Sequence, residues 1–517
     1  MKAGKMLRGV LGAGLCAVGL WMALSVPYGS RTFRVGAGGC RLITDIVEPT
    51  ANAPADGLPQ GYVVLLHGLS ANKKIMSYLA AGFASQGLRV FVPDLPGHGR
   101  SDGPFSYQRS EECSENLVRE LIGRGVLDPE RTILAGHSLG GADALRVAEH
   151  IPVAGVIAIS PAPMRPIKGI PRELLPFSEF GALPAHSLVM SAAWEPGRMR
   201  EAAKELVPIP GDGTSEYLVI PHSTHVSILF NATAMSVSQK WAALVLHLKE
   251  RPALPSRRGV LGFLAGFAGI LLLAGPFLRE TLQNRKEVGE RLEKAVPIAK
   301  GRALVEYGII ALGTVGLLSY WNPLPRLRLF EGDYFAAFLL ILGIVLLALH
   351  WNSVRDSFAR GSGSPPARPL YLTLIIGTFA GLLLFVLIAS WMDLSISETW
   401  LTAARWARFV PFLAVTLPYH FAEELLLGPA SPGKTAQRLS AALLLRLIAL
   451  GAIVAGLFLM HSGEVLLVLL APYFGLFSLL QCWGMKVVRE VTASAAVAAL
   501  FGAILLAGFS LVVFPTT

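Results

Sequence analysis

Charged side chains are scarce in this sequence, in which Asp, Glu, Lys and Arg make up only 15% of 517 residues and hydrophobic residues make up 53%. So little charge excludes a chain that is water-soluble throughout, and the length exceeds that of one ordinary domain. Uncharged stretches of about twenty residues crowd into the part after Gly259, whereas Gly36 to Arg258 has a soluble composition. The sequence therefore predicts a membrane protein whose two halves face different solvents.

Cysteine is also rare, and the four cysteines are Cys16, Cys40, Cys113 and Cys482. Their spacing matches no metal-binding motif, and two of them lie in apolar spans. In the soluble half only Cys40 and Cys113 are left to form a disulfide. We expect no cofactor.

Basic residues exceed acidic ones and give a net charge of +10. They lie mainly in short loops between apolar stretches, where membrane topology accounts for them, so we expect a bilayer and not a nucleic acid as partner. The apolar run Leu11 to Val26, preceded by Lys2, Lys5 and Arg8, is a cleaved signal peptide or a retained anchor. We divide the chain into residues 1–30, an α/β domain at 31–251 and a membrane domain at 252–517.

Within the soluble half, apolar β-branched runs alternate with segments of helix length after a first hairpin at Phe33 to Val47. This alternation predicts a mostly parallel sheet with helices on both faces. The predicted strands are Tyr62 to Leu66, Arg89 to Val92, Thr132 to Leu134, Val153 to Ile159, Leu188 to Met190 and Tyr217 to Ile220, followed by a last helix at Ala234 to Glu250.

About eight transmembrane helices follow, and none of them forms a convincing internal repeat. The predicted spans are Gly259 to Leu278, Ala303 to Tyr320, Tyr334 to Trp351, Leu370 to Trp391, Val410 to Gly428, Leu439 to Met460, Val465 to Trp483 and Val491 to Phe514. Most short-loop Lys and Arg residues fall in loops 279–302, 352–369, 429–438 and 484–490, which the positive-inside rule places in the cytoplasm. The α/β domain is then extracytoplasmic, most simply at the plasma (inner) membrane.

A serine stands between two glycines in the run Gly136-His137-Ser138-Leu139-Gly140, with a predicted strand before it and a predicted helix after it. Small neighbours allow the sharp strand-to-helix turn that exposes a nucleophilic hydroxyl. Such a hydroxyl needs a base to take its proton and amide donors to stabilise the oxyanion. Ser138 is therefore our candidate nucleophile.

With two earlier runs, Leu66-His67-Gly68-Leu69 and Asp94-Leu95-Pro96-Gly97-His98-Gly99, this segment resembles the α/β-hydrolase superfamily, especially its monoglyceride-lipase-like and serine-aminopeptidase-like members. The resemblance covers about Gly61 to Lys249. It implies that the backbone amides of Leu69 and Leu139 form the oxyanion hole. It also implies that His67, His98 and Asp94 shape loops around that site and take no part in catalysis.

The superfamily order places the acid and the histidine after late strands. His225, after the last strand, is the predicted base, with His222 as the competitor directly at the strand end. Glu195, after strand Leu188 to Met190, is the predicted acid, although relatives usually have Gly-x-x-Asp there. The alternative acid is Asp212, which also suits a turn between two glycines.

The insertion Pro161 to Pro184 is short for a lid, which leaves the predicted pocket open. Its apolar side chains either graze a bilayer surface or pack on the core. They are Ile167, Ile170, Leu174, Leu175 and Phe177.

Ionisable residues inside apolar spans include His420, Glu423 and Glu424 on one helix face and His461 farther on. Their pattern faintly resembles the CAAX-protease and bacteriocin-processing family of intramembrane metalloproteases. That family has Glu-Glu-x-x-x-Arg, whereas this chain has Gly428 near the arginine position. We predict no metal site and favour charge pairs over metal ligands here.

The sequence as a whole predicts a membrane-embedded serine hydrolase that cleaves an ester or thioester through an acyl-enzyme, with a lipid or acylated molecule as substrate. A peptidase or amidase is the alternative within the same chemistry. A transporter-like or intramembrane metalloprotease-like domain with an accessory hydrolase is the alternative of another class.

Overall fold

The computed structural model describes residues 2–25, 30–49, 59–101, 103–164, 181, 183–207, 215–249, 253–282, 300–359, 369–428, 435–460 and 465–517. The chain forms two compact units. The α/β unit comprises Val18–Leu264 together with two later segments, Met392–Trp400 and Pro515–Thr517. The helical unit comprises Met1–Ala17, Ala265–Trp391 and Leu401–Phe514.

The α/β unit contains an eight-stranded sheet in the order β1-β2-β4-β3-β5-β6-β7-β8. The first two strands form an antiparallel hairpin, β2 pairs antiparallel with β4, and all remaining pairs are parallel. The strands are β1 (Ser30–Ala37), β2 (Cys40–Val47), β3 (Gly61–Leu66), β4 (Leu88–Pro93), β5 (Thr132–His137), β6 (Gly155–Ile159), β7 (Ser187–Ala192) and β8 (Glu216–Ile220). The mostly parallel sheet expected from the alternation is confirmed.

Central strands β5, β6 and β7 are buried at every position, as expected for parallel strands covered by helices on both faces. The last strand, β8, is only partly buried because it forms the edge of the sheet. Helices of this unit are α2 (Ser77–Ala84), α3 (Tyr107–Gly123), α4 (Leu139–His150), α5 (Gly197–Lys204) and α6 (Ala232–Val245), after α1 (Lys2–Leu24) at the N-terminus. Short 3₁₀ helices occur at Lys73–Met76, Pro129–Arg131 and Ser227–Phe230.

A disulfide joins the hairpin to helix α3. Cys40 at the start of β2 is bonded to Cys113, with 5.6 Å between the two Cα atoms. The bond closes a loop with a sequence separation of 73 residues. Such a cross-link restricts the unfolded chain and so stabilises the folded one.

Reduction of this disulfide is expected to lower the free energy of unfolding by about 4 kcal/mol, the value for a loop of this size. The measurement is the Tm of purified full-length protein with and without a thiol reductant. A Cys40→Ser/Cys113→Ser variant is the control, because the reductant has no bond to cleave there. An equal shift in wild type and variant would show that the bond contributes nothing.

In its described residues the helical unit contains eight helices of 18 to 26 residues and two short ones of nine and five residues. They are α7 (Arg258–Leu282), α8 (Lys300–Leu318), α9 (Gly332–Leu349), α10 (Trp351–Ala359), α11 (Leu370–Ser395), α12 (Ala403–Leu427), α13 (Thr435–Met460), α14 (Val465–Leu469), α15 (Ala471–Thr492) and α16 (Ala495–Val513). Among the residues that the structure describes, in both units together, seven helices are long and apolar enough to cross a membrane. They are α1, α7, α8, α9, α11, α13 and α16.

Two of the eight spans predicted after residue 252 are not among these seven helices. The segment predicted at Val410 to Gly428 forms α12, but this helix also carries Arg405 and Arg408 besides its two glutamates. The segment predicted at Val465 to Trp483 is divided between α14 and α15, and α15 continues into the charged residues near its C-terminus. The first segment carries too many charged residues to count as an apolar span. The second also carries charge and is interrupted by a break between two helices.

Candidate active site

Ser138 lies at a sharp turn between β5 and α4. Its backbone has φ 53° and ψ −116°, a conformation that L-residues rarely adopt and that is held here by neighbouring strands. The Ser138 N–H donates to the carbonyl of Ile159 at 3.0 Å, and the Ser138 carbonyl accepts from Ala162 N–H at 2.9 Å. The turn requires glycine nearby, because a Cβ on Gly136 would lie 2.0 Å from the carbonyl oxygen of Gly140. This is the strand–turn–helix geometry that a nucleophile elbow requires.

The segment after β3 approaches this turn closely. A Cβ on Gly68 would lie 3.1 Å from Cβ of Ser138, so backbone packs directly against the candidate nucleophile. The Ala71 N–H donates to the carbonyl of Gly68 at 3.2 Å, which makes residues 68–71 a tight turn with Leu69 at its corner. We call these four residues the oxyanion turn. Leu139 is the first residue of α4, where backbone N–H groups have no partner within the helix. The two residues predicted to supply oxyanion donors thus directly follow Gly68, which packs against Ser138, and Ser138 itself.

Two buried histidines brace the oxyanion turn. His67 Nδ1 donates to the carbonyl of Gly68 at 2.8 Å, and its Nε2 accepts the N–H of Leu95 at 2.9 Å. His98 Nε2 accepts the N–H of Ser70 at 3.1 Å, while its Nδ1 donates to the carbonyl of Pro96 at 2.9 Å. Burial lowers the pKa of His67 to about 4, which keeps its ring neutral and able to accept. Both rings thus connect the turn to the loop after β4.

The structure brings the predicted acid and base together. His225 Nδ1 donates to Glu195 Oε1 at 2.5 Å. The other carboxylate oxygen, Oε2, accepts the N–H of Ala192 at 3.0 Å. The Glu195 side chain is only 4% exposed and that of His225 is 30% exposed, so the acid is enclosed and the base can be reached. A carboxylate on Nδ1 leaves Nε2 unprotonated, as a general base requires.

His137, next to Ser138, has a structural role that no sequence motif indicates. Its Nε2 donates to the backbone carbonyl of His225 at 2.7 Å, and the two ring centroids are 4.8 Å apart. Burial lowers the pKa of His137 to about 3, so the ring is a neutral donor at ordinary pH. This bond ties the histidine loop to the nucleophile turn across 88 residues of sequence. No spacing rule signals such a pair.

The sequence offered His222 as an alternative base and Asp212 as an alternative acid. His222 is exposed at the end of β8, with φ 51°, and the carboxylate of Glu195 is bonded to His225. The alternative acid, Asp212, lies outside the described residues. So do the apolar side chains assigned to the short lid, Ile167, Ile170, Leu174, Leu175 and Phe177. The catalytic roles of Ser138, His225, Glu195, Leu69 and Leu139 remain predictions that this geometry favours.

The ionisable residues of the helical unit form ion pairs. Arg446 binds Glu423 with two hydrogen bonds of 3.0 Å, one to each carboxylate oxygen, and Arg438 binds Glu424 at 2.7 Å. His420 Nδ1 is 3.6 Å from Glu423 Oε2, and its Nε2 is 3.3 Å from Gln481 Nε2. In the described part of the chain no three His, Cys, Asp or Glu side chains converge as metal ligands.

For the described glutamates of this cluster the structure shows ion pairs of the kind that we favoured over metal ligands. Guanidinium groups occupy the carboxylates of Glu423 and Glu424, which a cation would otherwise need. His461, the fourth candidate, lies outside the described residues.

Sequence comparison identifies relatives of the α/β unit. The chain is 33% identical over 108 residues to a monoacylglycerol lipase from Mycolicibacterium smegmatis, a match that covers 20% of this chain and 36% of the lipase. It is also 33% identical over 103 residues to a pimeloyl-(acyl-carrier protein) methyl ester esterase from Edwardsiella ictaluri, with 20% and 36% covered. The chain thus spans about a third of the length of these two relatives.

Solved structures similar to this chain include an α/β serine hydrolase without a lid from Xanthomonas campestris. It is 17% identical, with a TM-score of 0.34, and the match covers 44% of this chain and 98% of that one. An esterase from Thermogutta terrifontis is 16% identical, with a TM-score of 0.32 and coverage of 42% and 99%. The family model described as "Alpha/beta hydrolase family" matches residues 63–515. Since this match spans most of the sequence, the chain belongs to the alpha/beta hydrolase family.

Proposed function

We propose that this protein is a membrane-bound serine hydrolase that cleaves an ester or thioester through an acyl-enzyme. The observation that carries the proposal is the enclosed bond between Glu195 and His225, which is tied through His137 to the turn that presents Ser138. Nucleophile, base and orienting acid follow the family order along the chain.

In the proposed reaction His225 Nε2 takes the proton of Ser138 Oγ as that oxygen attacks the substrate carbonyl. The amides of Leu69 and Leu139 stabilise the resulting oxyanion. His225 then gives the proton to the leaving alcohol or thiol, and Ser138 keeps the acyl group. Water, activated by the same histidine, releases the acid. Glu195 remains ionised and stabilises the imidazolium in both steps.

A lipid or another acylated molecule is the proposed substrate. The names of two relatives, a monoacylglycerol lipase and a methyl ester esterase, support ester cleavage over amide cleavage. Trp194, which precedes the candidate acid, is 68% exposed. Exposed indoles are common at membrane interfaces, which supports an apolar or interfacial substrate.

We propose an extracytoplasmic location for the α/β unit. A disulfide within it supports an oxidising compartment. The number of apolar helices that precede each part of this unit is odd. The α/β domain follows one of the seven helices, Met392–Trp400 follows five and Pro515–Thr517 follows all seven. After an odd number of crossings all three lie on one side of a bilayer, as their membership of one compact unit requires.

One labelling experiment tests chemistry and location together. A membrane-impermeant fluorophosphonate is expected to label the protein at Ser138 in intact cells, because an activated serine attacks the phosphonyl group. Ser138→Ala is the matched control and should remain unlabelled.

The outcomes separate the two claims. Equal labelling of wild type and Ser138→Ala, or no labelling of either after permeabilisation, would refute the serine hydrolase. Labelling that needs permeabilisation would leave the chemistry intact and place the α/β unit on the cytoplasmic side.

A further inference from the structure

The segment Met392–Trp400, which joins α11 to α12, belongs to the α/β unit. We call it the inter-helix segment. Asn72 holds its backbone from both directions: Asn72 Nδ2 donates to the carbonyl of Glu398 at 3.1 Å, and Asn72 Oδ1 accepts the N–H of Glu398 at 3.1 Å. The same Nδ2 also donates to Ser397 Oγ at 3.0 Å. A single side chain thus fixes two residues of the segment.

A buried charge cluster adds to this contact. Lys73 is 2% exposed, and its ammonium lies 3.0 Å from Asp94 Oδ2 and 2.5 Å from Glu398 Oε1. Arg100 lies 3.5 Å from the same Glu398 oxygen. An ammonium withdrawn from water needs such partners, and removing one partner of a buried pair is costly. Burial opposes the charge of Lys73, but the nearby carboxylates outweigh it and raise its pKa.

These contacts begin where the oxyanion turn ends. Asn72 directly follows Ala71 and caps the 3₁₀ helix Lys73–Met76 by accepting the N–H of Lys74 at 3.2 Å. The Lys73 N–H donates to Asp94 Oδ1 at 2.8 Å. Any movement of Asn72 or Lys73 therefore moves the backbone that carries the amide of Leu69.

A second late segment reaches the other side of the turn. The Thr516 N–H donates to the carbonyl of Gly97 at 3.0 Å, and the Thr516 carbonyl accepts from Phe105 N–H at 2.7 Å. This pairing fixes the loop whose His98 accepts the N–H of Ser70. The oxyanion turn is thus held from both ends by residues that follow the transmembrane helices in sequence.

We propose that Glu398 is a positioning residue that, with the inter-helix segment, holds the oxyanion turn in its catalytic geometry. This inference rests on the proposed serine hydrolase function. Oxyanion donors act only when they are preorganised, and loss of one donor lowers kcat about 10²- to 10³-fold. A displaced but present donor should cost less than its complete loss.

The test uses the full-length protein in its membrane and a p-nitrophenyl ester as substrate. Glu398→Gln is expected to lower kcat about tenfold or more with little change in KM, because the oxyanion contact that the displaced turn weakens is made only in the transition state. The rate of fluorophosphonate labelling should fall with kcat, while the final labelled fraction stays at the wild-type level. A fall in that final fraction, with kcat per labelled site unchanged, would indicate a merely structural role and overturn the inference.

Glu48→Gln is the matched control, since Glu48 forms a partly exposed pair with Arg89 at 2.9 Å in the same unit. It should leave kcat unchanged. Asn72→Asp serves as a second variant, because Asp still caps the 3₁₀ helix but cannot donate to the inter-helix segment. It should reproduce the loss of kcat. If Glu398→Gln protein does not accumulate in the membrane, Asn72→Asp alone tests the positioning role.

The double variant Glu398→Gln/Asn72→Asp should lose less than the product of the two single effects, because both substitutions disturb one contact. Wild-type kcat in Glu398→Gln and Asn72→Asp would overturn the positioning role while leaving the hydrolase proposal intact. Absence of labelling in the wild-type protein would instead refute the hydrolase proposal, and this inference with it.

Discussion

Glu195→Gln is expected to lower kcat for ester hydrolysis about 10⁴-fold, the effect of replacing the orienting carboxylate by an amide in enzymes of this chemistry. The backbone N–H of Ala192 now donates to one carboxylate oxygen of Glu195, and His225 donates to the other. In the variant the amide oxygen must face the Ala192 N–H, which turns the amide NH₂ toward His225. The ring then accepts at Nδ1 and carries its proton on Nε2, where it cannot take the proton of Ser138.

Steady-state kinetics with a p-nitrophenyl ester measure this effect, and KM is expected to change little. Glu201→Gln is the matched control, because Glu201 is an exposed glutamate on α5 in the same part of the chain. It should retain wild-type kcat. A Glu195→Gln enzyme within about tenfold of wild type would show that another carboxylate orients the histidine. Asp212 would then be the residue to replace.

Gly136→Ala is expected to destabilise the α/β unit by more than about 4 kcal/mol, which is beyond the range of most single substitutions. The added methyl carbon would lie 2.0 Å from the carbonyl oxygen of Gly140 and 2.7 Å from the backbone nitrogen of Gly141. Both atoms are main chain, so no side-chain rotation relieves the clash. We expect the variant to lose fluorophosphonate labelling and to show a much lower Tm.

Gly123→Ala provides the control for this substitution. Gly123 ends α3, and nothing lies within 4 Å of a Cβ placed on it. The same chemical change there should leave the Tm unchanged or raise it slightly, since Ala favours helix over Gly by up to about 1 kcal/mol. A Gly136→Ala protein with wild-type Tm and labelling would mean that the turn can relax, contrary to the tight packing described above.

Short runs of residues and the order of the strands allowed part of the candidate site to be predicted from the sequence. The turn at Ser138 is recognisable because glycines, a strand and a helix occur together within a few residues. Glu195 and His225 were located by their position after particular strands, and the sheet then places those strand ends side by side. Parallel topology converts order along the chain into neighbours in space.

The parts that escaped prediction depend on contacts between distant residues. Nothing near Glu398 in the sequence distinguishes it from any acidic residue in a short loop, and the role that we propose for it rests on its contacts with Asn72 and Lys73. The same holds for Glu423 and Glu424, for which the sequence favoured charge pairs but did not name Arg446 and Arg438 as the partners. Sequence pattern identified the ionisable groups correctly but not their partners.

The inter-helix segment has a consequence for the order of events during synthesis. Residues up to 251 leave the ribosome well before residue 398, and at about 5–20 residues per second the delay is roughly seven to thirty seconds. During this time Lys73 lacks one of its carboxylates and Asn72 lacks the backbone that it holds. If the proposed positioning role holds, the newly made α/β unit reaches its full hydrolase activity only after the inter-helix segment has been made and has docked on Asn72 and Lys73.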